Sequence, residues 1–129
     1  MLGSHDLVAF VGVTDVARAR SFYEGTLGLT MTADTPFAVV FDANGTTLRV
    51  TPVERLDPPA YTVLGWQVDD IAATMGELAA RGVEFARYDG MEQDELGAWS
   101  APGGAQIAWF HDPDGNTLSL TQEAPPARS

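Results

Sequence analysis

His111-Asp112-Pro113-Asp114-Gly115-Asn116-Thr117-Leu118-Ser119-Leu120-Thr121 reads as a tight turn opening into a strand. Pro113 presets φ, Gly115 accepts positive φ, and the Asp and Asn side chains can bond the backbone locally. Residues 117–121 then alternate polar and apolar, the period of a half-buried strand. An earlier copy of the pattern, Phe41-Asp42-Ala43-Asn44-Gly45-Thr46-Thr47-Leu48-Arg49-Val50-Thr51, repeats the Asp, Gly, Thr, Leu and Thr at an offset of 70 residues. A second pair of matches, Val13-Thr14-Asp15-Val16 with Val68-Asp69-Asp70-Ile71, lies at an offset of 55. Two matches in the same order point to a duplicated module. The second copy then holds about 15 extra residues, and the acidic loop at 88–97 is the place for them.

Outward from this repeat, the chain reads as two βαβββ modules. Residues 7–13 are an apolar run that suits a buried strand. Thr14 and Asp15 can cap a helix whose apolar stripe is Val16, Ala19, Phe22, Tyr23 and Leu27, closed by Gly28. Strands are expected at 29–32, 37–41 and 46–51, with Asn44-Gly45 as a hairpin turn. Val53 to Ala60 includes Pro58-Pro59, which blocks helix and strand, and reads as a linker. The second module repeats the order: a strand at 61–68, then a helix from Asp69-Asp70 with Ile71, Met75, Leu78 and Ala79 inward and Gly82 as its cap. Strands follow at 83–87, 97–100, 106–111 and 116–121, with a turn at Pro102-Gly103-Gly104. The expectation is one α+β domain over 1–129: module 1 at about 5–52, linker 53–60, module 2 at about 61–122 and a frayed tail at 123–129.

Bulk composition narrows the function classes. The chain is 45% hydrophobic, 19% charged and 9% aromatic, the profile of a globular domain. Its net charge of −11 argues against nucleic acid, whose phosphates need a basic face, and would favour solubility or a cationic partner. No apolar run approaches the ~20 residues of a membrane span. With no cysteine, disulfides, thiolate nucleophiles and Cys-ligated metals are excluded. The start of the chain lacks a basic region followed by an apolar run, so a cytoplasmic location is expected. Met1 to His5 is either native or a cloning remnant, and His5 is given no weight.

The pattern resembles the vicinal oxygen chelate superfamily, the fold of glyoxalase I, extradiol dioxygenases and fosfomycin- and bleomycin-resistance proteins. The resemblance rests on Val13-Thr14-Asp15, Ser21-Phe22-Tyr23, Leu27-Gly28-Leu29, Val68-Asp69-Asp70, Leu78, Gly82-Val83 and Trp109 to Asn116. It implies two βαβββ modules forming a curved mixed sheet around a cavity, with helices on the convex side, and homodimers. In metal-dependent members, His, Glu or Gln stands near the start of each module's first strand and four residues after each final hairpin Gly. The matching positions here are Val8, Arg49, Val63 and Ser119. Two are aliphatic, one is cationic and one is a weak neutral hydroxyl, so none suits a divalent ion. A shift of one residue brings in only Leu, Ala, Val or Thr. His5 and His111 form no ligand motif. No metal and no cofactor are expected, and with them go the glyoxalase and dioxygenase mechanisms, which use the ion as Lewis acid or redox centre.

Strand alternation sorts the remaining side chains. Leu48, Val50, Leu118 and Leu120 should pack under the helices. Thr47, Arg49, Thr51, Thr117, Ser119 and Thr121 then face the cavity, with Val8, Phe10, Val63, Gly65 and Gln67 from the first strands. The resemblance adds Trp109. Phe10, Arg49, Gln67, Trp109, Ser119 and Thr121 are the expected ligand-binding residues. Arg49 is the sharpest oddity: it would clamp a carboxylate or phosphate, or else form a structural ion pair. Trp109 is otherwise core, Trp66 should lie under the helix, and the face of Trp99 is open. Asp89, Glu92, Asp94 and Glu95 read as a solvated loop rather than a catalytic pair. Ser119 has no adjacent base and is no nucleophile.

The function expected is metal-independent binding of a small organic molecule, an antibiotic or metabolite, in the manner of the bleomycin-resistance proteins. Two alternatives stay open. One is a metal-independent lyase, isomerase or biosynthetic tailoring enzyme, with His111 or a loop carboxylate as its acid or base. The other is a non-catalytic dimeric interaction module.

Overall fold

The computed structural model describes residues 1–125 and divides into two compact units, one over Met1–Pro58 and one from Pro59 onward. Each unit holds one four-stranded mixed sheet with helix on one face, so the fold is α+β. No helix among the described residues is long and apolar enough to cross a membrane.

The first unit runs β1 (Val8–Val13), α1 (Val16–Arg20), β2 (Thr30–Asp34), β3 (Val39–Ala43) and β4 (Thr46–Pro52). Its strand order is β1-β4-β3-β2, with β1 parallel to β4 and the other pairs antiparallel. Asp15 caps α1, its carboxylate accepting the Arg18 N–H at 3.0 Å. After Arg20 the helix widens over Ser21–Thr26 to i→i+5 bonding, as in the 2.9 Å bond from Leu27 N to the Phe22 carbonyl. The widened turn buries part of the expected stripe: Ala19 and Tyr23 are fully buried, Val16, Phe22 and Leu27 are half-buried, and the Tyr23 ring lies 6.2 Å from that of Phe41. Asn44 (φ 52°) and Gly45 (φ 93°) make the hairpin turn with both central residues left-handed, the geometry that matches strand twist.

The second unit repeats this order with β5 (Leu64–Gln67), α2 (Ile71–Ala80), β6 (Trp99–Ser100), β7 (Gln106–His111) and β8 (Thr117–Gln122), arranged β5-β8-β7-β6. Asp70 caps α2 through Ala73 N. A second orphan donor, Ile71 N, reaches the Gln122 Oε1 at 2.8 Å and ties the helix start to β8. Ile71, Met75 and Leu78 are buried, as are Ala108, Phe110, Leu118 and Leu120, which form the sheet's helix face.

The opening stretch folds into a closed polar knot. Asp112 Oδ1 accepts from Asp114 N (3.0 Å) and Asn116 N (2.9 Å), while its Oδ2 accepts from Asn116 Nδ2 at 2.8 Å. Both Asp112 and Asn116 are buried, and Gly115 turns at φ 89°. In the first copy Asp42 makes a simpler turn, accepting only the Gly45 N–H among its side-chain bonds described, in an exposed setting.

Several strands are shorter than their apolar runs imply. Residues 83–87 form no strand: a single bond from Ala86 N to the Trp109 carbonyl replaces the expected ladder. The Gln93 side chain stands in for part of it. Its amide donates to the Ala86 and Gly97 carbonyls, and its oxygen accepts the Tyr88 N–H, taking the partners a neighbouring strand would supply. At 37–38, Thr35 Oγ1 accepts from Phe37 N and Ala38 N, so β3 begins only at Val39. Residues 61–63 keep one ladder bond, Val63 N to the Thr117 carbonyl, and β5 starts at Leu64.

Candidate functional site

Register places the expected site residues as two sets, one on each sheet, on the face away from the helix. In the second unit Ser119 lies between Gly65 on β5 and Trp109 on β7. Thr121 lies between Gln67 and Ile107 in the next row. Ser119 is 7% exposed, Trp109 and Thr121 are half-buried and Gln67 is exposed. A Cβ on Gly65 would fall 2.9 Å from Ser119 Oγ, so a side chain there would force that hydroxyl to move. In the first unit Arg49 lies between Phe10 on β1 and Val40 on β3. Arg49 is half-buried and Phe10 is 64% exposed. Trp66 pairs with Leu120 and so faces the helix side, as its alternation implies.

The sheet of the second unit also gathers aromatic rings that alternation did not assign. Trp99 pairs with Ile107, which places it on the same face as Trp109, and the two rings stand 6.1 Å apart. Tyr88 meets Trp109 edge-on at 5.5 Å. Trp99 follows a loop and has too short a strand for its parity to be read from sequence. Tyr88 precedes the acidic loop and gave no signal of its own; it is delivered by the Gln93 knot. Between this loop and β6 lies an open depression of about 510 Å³, with Glu92, Gln93, Asp94, Trp99 and Gln106 among its walls.

The acidic loop is built, not merely solvated. Asp94 Oδ1 accepts from Leu96 N, Gly97 N and Ala98 N, within 3.1 Å. Arg87 donates to the Gln93 and Glu95 carbonyls. Asp94 is thus occupied as a turn acceptor, while Asp89, Glu92 and Glu95 are exposed.

The metal positions of the resembled fold do not fit an ion. Val8 and Val63 have no donor atom in the side chain, Arg49 brings positive charge, and Ser119 offers one neutral hydroxyl. No group of three or more His, Asp or Glu residues able to hold a metal stands together among the described residues. Among the described residues Arg49 forms no ion pair.

A sequence model described as Glyoxalase/Bleomycin resistance protein/Dioxygenase superfamily matches residues 6–120. The chain belongs to this superfamily. Solved members share the glyoxalase fold across nearly their whole length. An antibiotic binding protein, TnmS3 from Streptomyces sp. CB03234, is 29% identical with a TM-score of 0.71, covering 94% of this chain and 97% of its own. A superfamily member from Sphaerobacter thermophilus DSM 20745 is 25% identical with a TM-score of 0.73, covering 93% and 98%. Lactoylglutathione lyase from Agrobacterium tumefaciens is 18% identical with a TM-score of 0.71, covering 92% and 93%, a likeness of fold alone. No curated protein matches this glyoxalase-fold chain.

Proposed function

We propose that this protein binds a small, ring-bearing organic molecule without a resident divalent ion. The observation that carries the reading is the aromatic group of Tyr88, Trp99 and Trp109 set beside Ser119 and Thr121, apolar surface with a few placed hydroxyls. The residues at the family's metal positions support the metal-free part, and the likeness to an antibiotic binding protein supports a drug-like or metabolite ligand. Phe10, Arg49, Gln67, Trp109, Ser119 and Thr121 are the residues assigned to ligand contact. The working form in this reading is a cytoplasmic homodimer, and sedimentation of the purified chain tests the dimer.

Two measurements on protein purified without chelator test the whole. Elemental analysis should find no stoichiometric divalent ion, and a screen of aromatic natural products should give hits whose affinity is unchanged by EDTA. One tightly held ion per chain, or binding abolished by EDTA, sinks the metal-free part. A screen without hits sinks the binding reading itself.

A further inference from the structure

Arg49 is a cation in the middle of a strand, with apolar neighbours on both sides: Phe10 across to β1 and Val40 across to β3. Thr47 and Thr51 precede and follow it on the same face of β4. The side chain is half-buried, yet no carboxylate oxygen comes within 4.0 Å of its guanidinium, and no hydrogen-bond acceptor holds it, among the described residues. Other arginines show how this chain treats a structural cation. Arg20 reaches Asp34 at 3.4 Å, Arg81 reaches Glu77 at 3.1 Å, and Arg87 is held by backbone carbonyls. The acidic residue on the same face of β3, Asp42, is engaged at the hairpin, accepting the Gly45 N–H at 3.0 Å.

The chain has 18 Asp and Glu against 7 cationic residues, so a carboxylate partner for Arg49 would be easy to supply. A mid-strand guanidinium that no carboxylate or carbonyl holds keeps its fork of donors available to a ligand. We infer that the ligand completes it: the bound molecule is an apolar, ring-bearing carboxylate whose acid group pairs with Arg49 and whose ring rests on Phe10. The guanidinium fork matches a planar carboxylate in two parallel bonds, and the exposed Phe10 ring beside it offers apolar surface for the rest of the molecule. This names an acid-binding position on the first unit's sheet and rests on the reading that the protein binds a ring-bearing small molecule. The net charge of −11 does not oppose it, since distant surface acids are screened beyond about 8 Å in physiological salt while a contact pair is not.

Matched pairs of aromatic acids and their neutral amides decide the matter, with 2-naphthoate against 2-naphthamide and benzoate against benzamide, titrated into the full chain by calorimetry and ligand-observed NMR. The acids should bind wild type about ten-fold or more tightly than the amides, the worth of a charge-assisted bidentate contact. Arg49→Met should remove that preference, bringing the acid and amide affinities together. Arg49→Lys, which keeps the charge but not the fork, should retain part of it and serves if the Met variant fails to fold. Equal binding of acid and amide to wild type, or a preference that survives Arg49→Met, overturns the assignment and leaves small-molecule binding standing. No binding by any member of either series counts against both.

Discussion

The Ser119 hydroxyl occupies the space that a side chain on Gly65 would need: a Cβ on Gly65 would lie 2.9 Å from Ser119 Oγ. The two residues are register partners on β5 and β8, and Ser119 is nearly buried, so the hydroxyl has little room to retreat. Gly65→Ala should therefore cost about 1–3 kcal/mol in urea unfolding, the range for overpacking a filled site. Removing the obstructing oxygen should relieve most of it. The Gly65→Ala, Ser119→Ala double variant should recover at least half of the loss, a coupling measurable in a double-mutant cycle. Strict additivity of the two changes would contradict the contact.

The two hairpin copies look alike in sequence but differ in what they hold. Asp112 satisfies two backbone N–H groups and the buried Asn116 amide, whereas Asp42 is exposed at its turn. Asp112→Ala leaves buried donors without acceptors and should cost about 2–3 kcal/mol. Asp42→Ala should cost less than about 1 kcal/mol. Chemical denaturation of both variants checks the ranking, and equal losses would mean that burial of the knot contributes nothing.

These differences mark how far the residues alone could carry the reading. Asp15 and Asp70 as helix caps, Gly28 and Gly82 at positive φ, and Asn44-Gly45 as a turn all act locally, so their neighbours in sequence sufficed to place them. Alternation likewise put Leu48, Val50, Leu118 and Leu120 on the helix faces and Arg49 and Ser119 opposite them. The errors arose where a side chain replaced a strand partner. Thr35 and Gln93 each use polar atoms to satisfy backbone that an apolar run had assigned to a ladder. Tyr88 and Trp99 have no readable period: Tyr88 is set by the Gln93 loop, and Trp99 stands on a strand of two residues.

Tryptophan fluorescence separates the two faces of the second sheet. Trp99 and Trp109 lie on the face away from the helix, while Trp66 pairs with Leu120 on the helix face. An aromatic ligand at the proposed site should quench a variant keeping Trp109 and lose most of its effect on a variant keeping only Trp66. Trp109→Ala should weaken aromatic ligands about ten-fold, with an aromatic-pair contribution of roughly 0.5–1.5 kcal/mol at stake. Quenching confined to the Trp66-only variant would place the ligand elsewhere.

Gln93 connects loop order to the aromatic group. Its amide donates to the Ala86 carbonyl at 2.9 Å and the Gly97 carbonyl at 2.7 Å, and its oxygen accepts the Tyr88 N–H at 2.9 Å. Tyr88 and Trp99 both flank this loop, so losing the three bonds should free their rings before it unfolds the sheet. Gln93→Ala should speed amide exchange over residues 86–98 while leaving the protection of β7 and β8 intact, as expected for a local opening. Aromatic ligand affinity should fall several-fold with a small change in global stability. The isosteric Gln93→Glu keeps the Tyr88 acceptor but loses both donors, facing two carbonyls with a carboxylate, and should behave as badly as the alanine variant. Wild-type exchange and affinity in Gln93→Glu would show that the Tyr88 bond alone organises the loop, and that the two carbonyl contacts are incidental.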